Sequence, residues 1–168
     1  MTLTSPNEAA VPKMPRLPEE LVASTSFLLK RLGFAVKERT MKAYEGTGLH
    51  PYHHAILVAL EEDTHETQGS IADALGYDRG QLVGLLDELE ERGLVERRRD
   101  QADRRRQLVN ITPNGRKALN GLRALSQRLE DDLLSPLDPA ERQRLHELLL
   151  RLAERHLPHC ARLTPPAR

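Results

Sequence analysis

The stretch Gln68–Thr112 decides the fold of this 168-residue chain, and it reads QGSIADALGYDRGQLVGLLDELEERGLVERRRDQADRRRQLVNIT. It begins with a short predicted helix, which ends before Gly76, since glycine readily adopts the left-handed conformation found just past helix ends. Asp78 can then cap a second helix. The apolar edge of the first helix is formed by Ile71, Ala74 and Leu75. Leucines at i, i+3, i+4 and i+7 give the second helix an apolar face: Leu82, Leu85, Leu86 and Leu89.

Two extended segments follow, and the loop between them is crowded with arginine. Gly93 ends the second helix, Leu94-Val95 opens the first segment, and Gln107–Thr112 forms the second. Between them, Arg97–Arg106 contains six arginines and two aspartates. Burying unpaired guanidinium groups is costly, so this tip favours an anionic partner over a protein core. A helix-turn-helix followed by such a hairpin is typical of a winged helix-turn-helix, which places its second helix in the major groove of DNA. The alternative interpretation is a charge run that is merely solvated.

The same stretch resembles the MarR (multiple antibiotic resistance regulator) family of bacterial transcription factors. The family's wing motif D-x-x-D-x-R-x-x-x-V/I-x-L/I-T is matched by Asp100, Asp103, Arg105, Val109, Ile111 and Thr112. The preceding run from Leu82 to Arg97 is similar to the family's recognition helix and first wing strand. The resemblance extends over roughly Leu17 to Leu157. It implies a mainly α-helical fold with a small β wing, in which N- and C-terminal helices form a homodimer.

Composition excludes several other classes of protein. Hydrophobic residues make up 39% and aromatic residues 3% of the chain, so leucine packing must dominate the core. The formal net charge is zero, and any affinity for DNA must come from a local basic surface. No apolar run approaches a membrane span and no signal peptide is evident, so we expect a cytoplasmic protein without membrane partners. No nucleophile, metal or phosphate-loop arrangement points to an enzyme, a metal site or a cofactor. Cys160 is the single cysteine.

The flanking sequence predicts the domain organisation. Residues 1–16 carry three prolines and predict a disordered arm. Residues 17–48 and 113–158 predict the helical dimerisation region, 49–112 the winged helix-turn-helix, and 159–168 a flexible tail. The first helix is expected to run from Pro18 to about Tyr44. Its predicted buried positions are Leu21, Leu28, Leu29, Leu32 and Val36.

Two leucine-striped helices follow the wing. Thr112 and Pro113 begin the first of them, and Asp138 with Glu141 forms a capping-box-like start to the second. Because the DNA-binding region already has its own core, pairing with a second copy is the economical use of these helices. Their apolar stripes are Ala118, Leu122, Leu125, Leu129 and Leu133 in the first and Leu145, Leu148, Leu149 and Leu152 in the second.

Candidate DNA contacts lie in the first half of the second helix and in the wing. Arg79 and Gln81 are expected to contact base edges, since arginine pairs with guanine and glutamine with adenine. Where the short helix starts, Gln68 or Ser70 can meet a phosphate. The resemblance assigns Arg105 to the minor groove. Asp103 would orient Arg105 or close the turn. The remaining phosphate candidates are Arg97, Arg98, Arg99, Arg104 and Arg106, with pairing of Arg97 to Glu96 or Asp87 as the alternative.

Three histidines near Pro51 admit several interpretations. His50, His53 and His54 first suggest partly buried structural residues at a helix start. A small-molecule pocket is the second interpretation, and metal ligation at helical spacing is the third. By resemblance to the family, in which aromatic acids often bind near this helix, the pocket candidates are Tyr52, His53 and His54.

The sequence therefore predicts a DNA-binding transcriptional regulator. We expect it to be a repressor that binds double-stranded DNA at a pseudo-palindromic operator as a homodimer, and to be released by a small, perhaps aromatic, ligand. The alternative is a winged-helix module that contacts another protein and does not bind DNA.

Overall fold

A computed structural model describes residues 16–62, 66–101, 103 and 106–157. The chain divides into two compact units between Lys37 and Glu38. The first unit contains helix α1, Glu19–Val22, and the first part of helix α2, Thr25–Glu45. One continuous helix from Pro18 was therefore a wrong prediction. The break has a local cause: the Ser24 hydroxyl accepts the Phe27 backbone N–H at 3.4 Å, and this starts a new helix.

The second unit contains the remaining elements. They are helices α3 (Pro51–Glu62), α4 (Gln68–Leu75), α5 (Arg79–Glu91), α6 (Pro113–Leu133) and α7 (Pro139–His156), and strands β1 (Glu66–Thr67), β2 (Val95–Arg99) and β3 (Gln107–Ile111). The strands form an antiparallel sheet in the order β1-β3-β2. No helix in the described ranges combines the length and the apolar character that a membrane crossing requires.

Local signals set the helix ends, as the sequence predicted. Asp78 caps α5 by accepting the backbone N–H groups of Gly80 and Gln81 at 2.8 and 3.1 Å. Gly76 and Gly93 adopt the left-handed conformation, with φ of +66° at both. These three residues set the angle at which the second helix leaves the first and the point at which the wing begins.

The next two helices also begin as predicted. Thr112 caps α6, and its hydroxyl accepts the Gly115 N–H at 3.0 Å. Asp138 and Glu141 form a reciprocal capping box at the start of α7. Each of these motifs pairs backbone donors that a helix would otherwise leave without partners.

The core of the second unit lies between α3, α5, α6 and the sheet. Leucine and isoleucine dominate it, and these side chains are almost entirely buried: Ile56, Leu57, Leu60, Ile71, Leu82, Leu86, Leu89 and Leu119. Ala72, and not Ala74, completes the buried edge of α4. This core fixes α4, α5 and the wing relative to one another.

Exposed leucines mark the remaining helices. In α7 no residue is buried, and Leu148, Leu149 and Leu152 are exposed. In the first unit Leu21, Leu28, Leu29 and Leu32 are exposed as well, so the prediction that they are buried fails for a single chain.

Candidate nucleic-acid interface

A groove of about 960 Å³ lies between the first turns of α4 and α5 and the edge of the sheet. Five of the predicted DNA-contacting residues line it: Gln68, Ser70, Arg79, Arg99 and Arg106. Gln107 and Val83, which the sequence reasoning missed, line it as well. Gln107 could have been found from the strand pairing, because it lies directly opposite Arg99 in the sheet. Three arginines from separate elements thus meet at one concave surface.

Arg79 occupies the first helical position of α5, directly after the capping Asp78. Its side chain is 79% exposed, and its guanidinium lies 4.0 Å from the Asp73 carboxylate of α4. An ion pair this long and exposed contributes little stability. Gln81, two residues later, is also exposed. Both side chains can therefore turn toward a base edge at small energetic cost.

Ser70 is committed to the end of α4. Its hydroxyl accepts the Thr67 backbone N–H at 2.9 Å and lies 2.9 Å from the Thr67 carbonyl oxygen, to which it donates. The Thr67 hydroxyl in turn accepts the Ser70 N–H. This capping box orients the helix start toward the groove, where backbone N–H groups favour an anion. Gln68, the first residue of α4, is the better placed side chain.

The wing separates its arginines by strand alternation. Arg99 faces the groove, whereas Arg98 points to the other face of the sheet, where it pairs with Glu96 at 3.0 Å. The structure thus removes Arg98 from the groove set. Arg106 lies at the groove, with its Nε 3.5 Å from the Asp103 carboxylate, and its backbone N–H donates to the Asp103 carbonyl at 2.9 Å.

Asp103 therefore closes the turn, which was one of the two roles predicted for it. The other role, orienting Arg105, involves a residue outside the described ranges. Arg104 lies outside them too.

Arg97 belongs with the recognition helix and was wrongly included among the phosphate candidates. Its side chain is 20% exposed, and its guanidinium pairs with Glu90 at 2.5 Å and Asp87 at 2.6 Å. The alternative pairing with Asp87 is confirmed, while the alternative partner Glu96 binds Arg98. The hydrogen bond from Arg97 lowers the pKa of Glu90 and keeps it ionised. The acidic half of α5 is thus partly neutralised from within the protein.

The candidate pocket residues have three different surroundings. Tyr52 is 38% exposed, and its ring contacts the rings of His50 at 4.6 Å and Tyr77 at 5.1 Å. His54 Nδ1 lies 2.7 Å from the Tyr44 hydroxyl, and its Nε2 is buried with no hydrogen-bond partner among the described residues. Burial lowers the pKa of His54, and the positive charge of Arg123 lowers it further.

His53 is the buried histidine of the group. It is 2% exposed, and its Nδ1 accepts the His50 backbone N–H at 3.1 Å. Its Nε2 lies 3.3 Å from the Glu88 carboxylate of α5, an electrostatic contact whose geometry is outside that of a hydrogen bond. Burial lowers the pKa of His53 more than Glu88 raises it. The structural interpretation thus accounts for His53. In the described ranges no three potential metal ligands cluster.

Comparison with known proteins agrees with this geometry. The model of the MarR family matches residues 47–106. A putative transcriptional regulatory protein for the hcr operon of Thauera aromatica is 33% identical over 114 residues, which is 68% of each chain. The transcriptional repressor CouR bound to a 23-mer DNA duplex superposes with a TM-score of 0.74 at 32% identity, covering 83% of this chain and 99% of CouR.

A second structure of CouR, from Rhodococcus jostii RHA1, is bound to p-coumaroyl-CoA. It is 30% identical, covers 81% of this chain and 96% of CouR, and gives a TM-score of 0.68. The identity, the coverage and the shared winged helix-turn-helix, with an arginine-lined groove at the recognition helix, place this protein among DNA-binding regulators. The chain belongs to the MarR family of transcriptional regulators.

Proposed function

We propose that this protein is a homodimeric repressor that binds a pseudo-palindromic operator and is released by a small ligand. The observation that carries the proposal is the groove that brings Arg79, Arg99 and Arg106 together beside the recognition helix. Guanidinium groups from α5 and from the wing can contact base edges and phosphates of one duplex at the same time. The protein acts in the cytoplasm, where the DNA is, and by binding without catalysis.

The DNA contacts divide into two sets. Arg79 and Gln81, at the exposed start of α5, contact base edges. Arg99, Arg106 and Gln68 contact phosphates on either side of the groove. Arg104 and Arg105 remain proposed contacts on the basis of the wing motif alone.

The dimer is supported by helix α7. An 18-residue helix without a single buried residue gains little from tertiary packing, and isolated helices of this length are marginal in water. Its exposed leucines, Leu148, Leu149 and Leu152, follow helical spacing on one face. A second copy of the same face covers them symmetrically. Two recognition helices can then reach half-sites about 34–36 Å apart.

The ligand proposal draws on relatives and on the region around α3. CouR binds p-coumaroyl-CoA, a thioester of an aromatic acid. In this chain the exposed Tyr52 offers an aromatic surface, and His53 and His54 lie on the same helix. The buried Nε2 of His54 is a donor or acceptor that a ligand can satisfy. A ligand shifts the equilibrium only if it binds the DNA-incompetent form more tightly.

Selection from a random duplex pool, followed by analytical ultracentrifugation, tests the proposal. We expect an inverted repeat that binds two chains per duplex. Aromatic acids and their coenzyme A thioesters are then titrated against the complex, and release by one of them supports the ligand response. A selected site without symmetry, or one chain per duplex, contradicts the dimer. Failure to select any sequence contradicts the repressor and favours a module that contacts protein.

A further inference from the structure

Val83 is an apolar side chain placed where folding does not need one. In the described part of residues 49–112, two large hydrophobic side chains are exposed, Tyr52 and Val83. The Tyr52 ring rests against two neighbouring rings. Val83 is 42% exposed and lies in the groove with Arg79 and Arg99. An apolar side chain among arginines contributes nothing to attraction for phosphate, so its role depends on what the groove binds.

The position of Val83 on α5 fits the major groove. It lies four residues after Arg79, one turn further along the same face of the helix. At 1.5 Å of rise per residue the two positions are separated by about 6 Å, which is roughly two base-pair steps. A helix that brings Arg79 to a base edge therefore brings Val83 to a base nearby.

The residue after Val83 leaves the outer side of the helix open. A Cβ added at Gly84 would have nothing within 4 Å apart from the helix's own backbone, so protein packing does not require glycine there. The leucines Leu82, Leu86 and Leu89 are buried, which turns Gly84 away from the core. Glycine inside a helix is less favourable than alanine. Its presence here lets α5 and Val83 come close to a surface.

We propose that Val83 determines specificity by contacting the 5-methyl group of a thymine in the major groove, beside the base contacted by Arg79. Thymine is the base that presents a methyl group in that groove, and apolar side chains recognise it by contact. The proposal rests on DNA binding through α5. It adds a prediction of what the operator contains: a thymine close to the base that Arg79 contacts, in each half-site.

Replacing thymidine by deoxyuridine tests this, because the change removes the methyl group and keeps Watson–Crick pairing. Each thymidine of the selected operator is replaced in turn, and affinity is measured by fluorescence anisotropy. For wild type we expect a loss of about fourfold at one thymidine per half-site, the factor that corresponds to about 0.8 kcal/mol per buried methyl group. Val83→Ala should bind the thymidine and deoxyuridine operators equally. Because Val83 is exposed, this variant should fold normally.

A second variant tests the close approach. Gly84→Ala should raise the melting temperature by about 2–4 °C while weakening operator binding by about fourfold or more. Gly121→Ala is the matched control, since Gly121 is also helical with nothing within 4 Å of an added Cβ but lies in α6. It should raise stability and leave affinity unchanged.

Three outcomes overturn the proposal. In the first, wild type binds its operator but no thymidine is sensitive to loss of its methyl group. In the second, Val83→Ala keeps the wild-type sensitivity at every position. In the third, Gly84→Ala binds as tightly as wild type. If wild type selects no operator at all, DNA binding itself is refuted together with this role of Val83.

Discussion

Arg97 of β2 and Glu90 of α5 are joined by three hydrogen bonds. The Arg97 backbone N–H donates to Glu90 Oε1 at 3.0 Å, its Nε donates to Oε2 at 2.9 Å, and its Nη2 donates to the same oxygen at 2.5 Å. A second carboxylate, that of Asp87, lies 2.6 Å from Nη2. Strand and helix thus meet through a partly buried charge network. This network fixes the wing relative to the recognition helix, and so the width of the groove between them.

A double-mutant cycle measures this link. Arg97→Ala and Glu90→Ala, alone and together, should show a coupling of about 1–2 kcal/mol in urea unfolding, because charge-assisted bonds from one network are lost together. The exposed pair Arg144 and Glu147, with N and O atoms 3.3 Å apart, is the control and should couple by about 0.5 kcal/mol or less. Additive effects at Arg97 and Glu90 would show that the network does not hold the wing.

Gly115 is required by close packing at the start of α6. A Cβ there would lie 2.0 Å from the Leu94 carbonyl oxygen and 2.8 Å from Ile111 Cγ1. That carbonyl accepts the Thr112 N–H at 3.0 Å and cannot move without breaking the bond. We expect Gly115→Ala to destabilise the protein by about 2–4 kcal/mol in urea unfolding. Gly121→Ala should stabilise it by up to about 1 kcal/mol. Equal effects at both positions would contradict the close packing.

Stability should fall in mild acid. Burial lowers the pKa of His53 and His54 below the ordinary value of 6.5, so the unfolded chain takes up protons that the folded chain excludes. The stabilisation is fully present above pH 6.5 and is lost as the pH falls from 6.5 toward the lowered values. The slope is at most about 1.4 kcal/mol per pH unit for each histidine.

Urea unfolding between pH 5 and 7.5 tests this dependence. In His53→Asn the amide oxygen can still accept the His50 N–H, but one titrating group is gone. The slope of this variant should be shallower than that of wild type. An identical slope in the two proteins would show that His53 does not titrate with folding.

The wing arginines should differ in their effect on salt dependence. Arg99 faces the groove and Arg98 faces away from it, although they are neighbours in the chain. Arg99→Ala should reduce the slope of log affinity against log salt by about 0.9, the value for one phosphate contact. Arg98→Ala should leave the slope unchanged. Anisotropy titrations across a salt series decide it, and a loss at Arg98 equal to that at Arg99 would mean that DNA contacts both faces of the wing.

The dimer should depend on the leucine face of α7. Leu149 is exposed in the single chain, so Leu149→Glu should leave its folding intact and place a charge in the proposed interface. We expect sedimentation equilibrium to give a monomer for this variant and a dimer for wild type. Leu57→Ala, in the buried core, should instead lower thermal stability. A dimer that persists in Leu149→Glu would place the interface elsewhere.

Much of the fold could be predicted because helix ends are local. Asp78, Thr112 and Asp138 cap helices through hydrogen bonds to residues two or three positions away. Gly76 and Gly93 end helices because glycine adopts positive φ without steric cost. The wing motif and the leucine spacing predicted the family, and with it Arg79 and the basic hairpin. Signals that span so few residues are visible in the sequence itself.

Three assignments depended on contacts between distant segments. Whether an arginine of β2 meets DNA or protein is set by strand register, which sends Arg98 to one face and Arg99 to the groove. The acids of α5 seemed to repel DNA, but Glu90 is neutralised by Arg97 seven residues later. His53 is buried against α5 and does not stand open for a ligand.

The sequence by itself thus determined the elements, their ends and the family, because capping, glycine conformation and apolar periodicity act over a single turn or strand. Only the tertiary structure decided which charges meet each other and which remain for DNA. Those pairings arise when the core packs α3, α5 and the sheet together, and no local pattern specifies them. The groove around Arg79 and Val83 exists for the same reason.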